Sequence, residues 1–312
     1  MKKINFTHVF VVTSYKNYHD LFKLLDSLAS ASWFSNSKVI IVDNNSGEDF
    51  YKKVIHFLGR NSLFSNVNFF QLDKNYGYAY AEHFGIEKAI NDNADFIHSI
   101  NSDIEFNSKE LDHIPTEIEK FYQKYGLKNK CALITPVIFD SNSNFQNPLK
   151  RSPPNLIQKI IIKFITTKTI EKIYLYLRMN PFLFSFFSML GRFRYSISSK
   201  NSSDFHLKTK APRNHEQIYA AHGAYIVLTP LYFDQDILPP ETFMYCEELI
   251  RAEELISRGL STFLIYNFSI YHKSSSTVNF NYQDERKKIF FLITNMMKSC
   301  RIYAKILKLK KR

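Results

Sequence analysis

A chain of 312 residues, 45% hydrophobic and 22% charged, can bury one large core, with or without an appendage, and is too apolar for wholesale disorder. Its formal charge of +12 sits in two blocks: thirteen Lys/Arg against Glu171 and Asp204 in residues 150–213, and ten against Asp284 and Glu285 in residues 284–312. Basic blocks attract phosphate, but these are filled with aliphatics and carry no RRM, KH or helix-turn-helix pattern, so nucleic acid is set aside in favour of an anionic membrane surface or solvated helix faces.

In chain order, Lys2 and Lys3 precede an apolar run too short and interrupted for a signal peptide, so the run reads as a first strand, "HVFVVT" (8–13). Leu21, Leu25 and Leu28 then follow at helical spacing. "KVIIV" (38–42) is a buried strand, "EDFYKKVIHFLG" a helix with a Gly stop, and "VNFFQL" (67–72) a strand. A Gly turn leads into a helix through "YAYAEHFGIEKAI", followed by the strand "DFIHSI", a helix near 108–125 and the strand "CALITPVIF" (131–139). This alternation predicts an α/β fold with a mostly parallel sheet flanked by helices, in which ligands bind beyond the carboxyl ends of the strands.

Residues 151–213 break the pattern with helical periodicity in "LIQKIIIKFITTKTIEKIYLYL". The alternation resumes with "IYAAHGAYIVLTP" (218–230), a helix from Tyr245 to Arg258 stopped by Gly259, and the strand "STFLIYNFSIYH" (261–272). No stretch reaches the ~18 apolar residues of a membrane span; the longest uncharged piece of the insertion is "MNPFLFSFFSML" (179–190). Cys131, Cys246 and Cys300 form no CxxC pair, which fits a reducing compartment.

Polar residues recur where apolar runs stop. Thr13-Ser14, Asp43 and Asp103 are each expected to face the crevice. Asp103, beside Asn101 and Ser102, suits a hard divalent cation whose other ligands are diphosphate and water; the plain alternative is a turn aspartate. Glu247 and Glu248 open a helix together, so mutual repulsion fits one of them for general-base work; the plain alternative is complementing the helix N-terminus. His272 ends a strand and is either a site residue or a structural histidine. At Asn75–Gly77 a Gly turn enters a helix N-terminus, which favours an anion, while GxGxxG and GxxxxGK[ST] are both absent.

In this order along residues 8–276, excluding most of 150–213, "VVTSYKN", "IIVDNNS", "KNYGYAYAEHFGI", "INSD", "AAHGAYIVLTPLYF", "FMYCEE" and "YHKSSST" resemble the motifs of the family 2 glycosyltransferases of the GT-A fold, in particular the rhamnosyltransferase-like and galactofuranosyltransferase-like branch. The resemblance implies a Rossmann-like domain with a nucleotide-sugar half (1–149), a basic helical insertion (150–213), an acceptor and catalytic half (214–280) and a C-terminal basic amphipathic helix (281–312). It implies a donor site of Thr13, Ser14, Tyr15, Asp43, Asn75, Gly77, Asn101, Ser102 and Asp103. An acceptor site of His222, Gly223, Ala224 and Tyr245 follows, with Asp103 and His272 around Mg2+ or Mn2+. Glu248 becomes the general base and Glu247 its orienting neighbour, for inverting transfer of one sugar from a UDP- or dTDP-sugar to a polyprenyl-diphosphate-linked glycan of a capsule or O-antigen.

Glu248 stands where the family usually has Asp, Ile250 where a second acid is usual, and His83 where Asn is common. The alternative is a catalytically degenerate scaffold of a polysaccharide assembly complex. The insertion, through Lys159, Lys163, Arg178, Arg192 and Arg194, and the C-terminal helix would either dock on the inner leaflet or cover the acceptor cleft and close the core. A cytoplasmic, membrane-peripheral protein is expected, with homo-oligomerisation left open.

Overall fold

The computed structural model describes residues 6–60, 62–179, 214–233, 241–273 and 285–309. β1 (His8–Ser14) and β2 (Lys38–Asp43) are rich in β-branched and aromatic residues and buried along nearly their whole length, the pattern of strands covered on both faces. Between them lies α1 (Tyr18–Ala29), N-capped by Asn17, with Leu21, Leu24, Leu25 and Leu28 turned inward. Then come α2 (Glu48–Gly59), β3 (Val67–Gln71), α3 (Tyr78–Asn91), β4 (Phe96–Asn101), β5 (Ile104–Phe106), α4 (Ser108–Leu111), α5 (Ile114–Phe121) and β6 (Cys131–Asp140). Period two sorts the core. Phe10 and Val12 of β1 pack with Leu21, Leu25, Ile114 and Ile118 on one face, Val9 and Val11 with Ala81, Ile86 and Ala89 on the other.

The helical stretch after residue 155 is split rather than continuous, into α6 (Leu156–Ile165) and α7 (Lys168–Met179). Thr166 makes the break: its hydroxyl donates back to the Ile162 carbonyl at 2.7 Å, competing with the helix ladder. Residues 180–190, Arg192 and Arg194 lie outside the described residues, as does Ser276 of the closing motif.

"IYAAHGAYIVLTP" is not one strand either. β7 (His215–Ile218) and β8 (Tyr225–Leu228) are separated by a bend holding His222 and Gly223. After α8 (Pro230–Phe233), α9 (Glu247–Ser257) and β9 (Ser261–His272), the sheet reads β3-β2-β1-β4-β8-β6-β9-β5, with β7 also on β9. The strands β5, β7 and β8 run against the other six described strands. An apolar run does not encode its direction, so the resumed alternation reads equally well for β8 lying antiparallel between β4 and β6. Both halves of the chain thus share one sheet.

α10 (Glu285–Leu309) closes the core. Its Ile293, Tyr303, Ala304 and Leu307 are buried, and the Tyr303 and Tyr219 hydroxyls meet at 2.8 Å beside Glu253. It packs on α6, α7 and α9, as the core-closing use of the C-terminal helix requires. No helix among the described residues is long and apolar enough to cross a membrane.

Candidate active site

A cleft of about 720 Å³ opens at the carboxyl ends of β1 and β4. It is lined by Thr13, Ser14, Tyr15, Asn75, Gly77, Asn101, Ser102, Asp103, His222, Gly223, Ala224, Tyr245, Glu247, Glu248 and His272, every donor, acceptor, metal and catalytic residue that the family resemblance implied but one. Parallel register explains the first wall: Thr13 is the partner of Asn101, so two strand ends deliver their polar residues side by side. Thr13 Oγ1, Ser14 Oγ and Asn101 Oδ1 are buried without a hydrogen-bond partner among the described residues, and Glu247 Oε2 is likewise bare across the cleft. Buried polar atoms are rarely left so in a finished protein, and four around one cavity mark a polar ligand.

The exception is Asp43. It is fully buried, and its carboxylate accepts the Ser46 N–H at 3.0 Å, the Ser46 hydroxyl and Gln71 Nε2 at 2.9 Å. Burial pushes its pKa up, and the Ser46 and Gln71 bonds oppose that. Asp43 therefore braces the turn after β2, and the next residue, Asn44, faces the cleft instead. Asn44 accepts the Tyr76 N–H and donates to Asn75 Oδ1, both at 2.9 Å, which fixes the 75–77 turn. Gly77 has φ +93°, and a Cβ there would overlap the Phe243 carbonyl. Only glycine lets this turn touch the loop that carries Phe243.

Asp103 and His272 are 169 residues apart and meet because β5 pairs antiparallel with β9, setting His272 opposite Ile104. Asp103 Oδ1 and His272 Nε2 lie 3.3 Å apart. His272 Nδ1 contacts Gln146 Oε1 at 2.8 Å, and that contact orients the ring so that Nε2 is turned toward Asp103 and Asn101. No cluster of three or more His, Cys, Asp or Glu among the described residues could hold a metal alone. A carboxylate and an imidazole at this separation nonetheless fit a divalent cation that takes its other oxygens from a diphosphate and water. Nearby, His222 is pushed down to about 4, first by burial and then by His272, so it is neutral. Its Nδ1 accepts the Ala224 N–H at 3.1 Å, leaving Nε2–H as a donor.

The opposite wall starts with backbone strain. Tyr245 and Cys246 have φ of 72° and 63°, two consecutive side-chain-bearing residues in the left-handed region, and α9 begins directly after. That entry aims Glu247 and Glu248 into the cleft. Glu248 accepts N–H bonds from Gly223 and from its own residue, and lies near Arg251. Burial still raises its pKa, against those three influences. Glu247 is raised as well, first by burial and then by Glu248.

Sequence reasoning missed several residues here. Arg251 donates to Glu82 at 2.5 Å, and Glu82 also accepts the Ser99 hydroxyl at 2.7 Å, so a buried ion pair ties α9 to α3 and β4. Asn147 accepts the His222 N–H at 3.1 Å and donates to the Pro136 carbonyl, holding the bend. Lys16, Tyr78, Phe243 and Met244 also line the cleft, with Lys288, Phe291 and Leu292 from α10. The loop before α9 is fastened to α10 by the Ser299 hydroxyl on the Met244 carbonyl at 2.8 Å and by the touching thiols of Cys246 and Cys300 at 2.9 Å. Lys16 lies inside the motif "VVTSYKN" and could have been flagged by it; the amphipathic pattern of α10 signalled a helix but not which of its residues reach the cleft.

Among solved structures, GalNAc-T7 with UDP, GalNAc and Mn2+ shares the fold at a TM-score of 0.53 and 12% identity, over 93% of this chain and 50% of that one. S. aureus TarS 1-349 in complex with UDP aligns over 48% of this chain and 38% of its own, at a TM-score of 0.35 and 17% identity. TarS 1-349 alone aligns over 94% and 72%, at a TM-score of 0.49 and 14% identity. The chain thus covers less than two thirds of the TarS–UDP and GalNAc-T7 structures. No curated protein matches it. The model of "Glycosyl transferase family 2" matches residues 9–189, which takes in Thr13, the 75–77 turn and Asp103 and extends over more than half of the sequence. On that match the chain belongs to glycosyl transferase family 2.

Proposed function

We propose that the protein moves one sugar from a nucleoside-diphosphate donor to a hydroxyl of a lipid-linked glycan, with inversion at the anomeric carbon. One observation carries this: a single cleft in a family 2 chain unites the strand-end pair Asp103–His272 with the helix-start carboxylate Glu248. Glu248, held by the Gly223 N–H, takes the proton of the acceptor hydroxyl. The acceptor oxygen then bonds to the anomeric carbon as the bond from that carbon to the diphosphate breaks on the far face. Glu247, whose Oε2 stands without a partner beside Glu248 in the cleft and whose pKa burial raises, orients the acceptor. Thr13, Ser14 and Asn101 offer unpartnered groups to the donor, and His222 offers an N–H. Asp103 and His272 would hold Mg2+ or Mn2+, which supplies charge neutralisation for the departing diphosphate.

Within the family, the ordered motifs favour the rhamnosyltransferase-like and galactofuranosyltransferase-like branch, a UDP- or dTDP-sugar, and a capsule or O-antigen glycan on polyprenyl diphosphate. The site of action is then the cytoplasmic face of the membrane. The test is thermal stabilisation by UDP, dTDP, GDP and CMP, with and without Mn2+, in wild type and Asp103→Ala. A shift with one nucleotide that needs both metal and Asp103 is the expected result. No shift with any of them would favour the scaffold alternative that Ile250, in place of a second acid, keeps in play.

A further inference from the structure

α6 is the most apolar helix surface left uncovered among the described residues. Leu156, Ile157, Ile160, Ile161, Phe164 and Ile165 are all exposed, from 46% to 73%, and the helix has no buried residue. At 100° per residue these six side chains fill one continuous arc of about half the helix circumference. Lys159 and Lys163 fall together at one edge of that arc, and Lys168 and Lys172 continue the basic character onto α7, where Ile173, Tyr174 and Tyr176 are exposed too. The helix is built to stand by itself: Asn155 and Gln158 form a reciprocal capping box at its start.

Charge selects among the occupants such a face could take. Glu171 is the acid of α6 and α7, and it is turned inward onto Arg301 of α10 at 2.6 Å. Apart from Gln158 and Thr169, what is outward on the two helices among the residues of known exposure is aliphatic, aromatic and cationic, the arrangement of a helix lying in the plane of an anionic bilayer. An exposed apolar patch of this kind is unusual on a soluble surface without a partner. Position agrees with charge. α6 and α7 both pack on α10, and α10 supplies Lys288, Phe291 and Leu292 to the cleft wall.

We infer that the Leu156–Ile165 face docks into an anionic lipid bilayer and seats the cleft at the membrane surface. The inference rests on the reading of a lipid-borne acceptor for its purpose, though not for its test.

The test is flotation of the full chain with vesicles of phosphatidylcholine alone and of phosphatidylcholine with phosphatidylglycerol. Wild type should float with the anionic vesicles, weakly with the neutral ones, and less at high salt. Ile157→Asp/Ile161→Asp/Phe164→Asp should lower anionic-vesicle binding at least tenfold, with the melting temperature and elution volume of wild type. Lys159→Glu/Lys163→Glu should retain neutral-vesicle binding and lose the anionic preference. Wild type that stays with neither vesicle, or a triple variant that floats like wild type, overturns the proposal. So does a triple variant that melts earlier or elutes differently, because the face would then be covered by residues 180–213 or by a second copy. Metal-dependent stabilisation by nucleotide is measured without lipid, so a failed donor site and a failed docking face give different results.

Discussion

The two walls of the cleft are made in different ways. The wall proposed for the donor stands on the ends of β1 and β4, where parallel register places Thr13 beside Asn101, and its 75–77 turn is clasped by Asn44. The acceptor wall stands on a bend, a strained helix entry and a helix from far down the chain, joined by Asn147, the Glu82–Arg251 pair and the Ser299–Met244 bond. The first wall inherits its geometry from the sheet. The second is assembled from long-range contacts, each of which can be removed singly. Position on one wall or the other should therefore decide whether a substitution damages binding of the leaving group, delivery of the acceptor, or the fold.

Glu248→Gln sharpens the contrast most. It should lower turnover by about 10²–10⁴-fold, the range for loss of a general base, while nucleotide-dependent stabilisation persists. Loss of that stabilisation would break the division of labour. Arg251→Met comes next. It leaves Glu82, 1% exposed, as a buried carboxylate without its cation, and removing one partner of a buried pair costs about 3–5 kcal/mol. Denaturant unfolding measures it, and a loss under ~1 kcal/mol would mean that the acceptor wall is not tied to α3 as described.

Asp103→Ala should abolish the metal-dependent part of nucleotide stabilisation, about 2.7 kcal/mol at a hundred times the dissociation constant, without lowering the melting temperature of the free protein by a comparable amount. The smallest effect concerns pH. The raised pKa of Glu247 means that its folded form prefers the proton, so its contribution to stability is full below the unfolded value of ~4.3 and is lost as pH rises through the folded value. Glu247→Gln should accordingly raise the melting temperature at pH 8 by about 2 °C and leave it unchanged near pH 4. The same direction for Glu248 predicts an acid limb in the rate profile, displaced above the usual carboxylate range.

The sequence carried the donor wall well because strand ends are where apolar runs stop, and Thr13, Asn101 and Asp103 are polar at those stops. It also placed Glu248 by its helix start and by the order of motifs. Asp43 looks the same in sequence as Asp103, yet Ser46 and Gln71 satisfy it, and that depends on turn geometry that no local pattern states. Arg251 reads as an ordinary helix charge; its burial follows from α9 lying against α3. Lys288, Phe291 and Leu292 belong to a stretch whose amphipathic pattern suits a membrane as well as a protein core. The direction of β8 was equally hidden, since β-propensity is blind to which way a strand runs.

The place of β8 has a consequence for recombination. A strand from beyond residue 214 lies between β4 and β6, both from before residue 141, so a crossover near residue 150 would divide the sheet through its middle rather than at a seam. Hybrids made by joining the front of one such chain to the back of another would have to rebuild three antiparallel pairings and one parallel pairing between unrelated parents. The two walls of the cleft are spatially distinct without being separable by a cut in the gene.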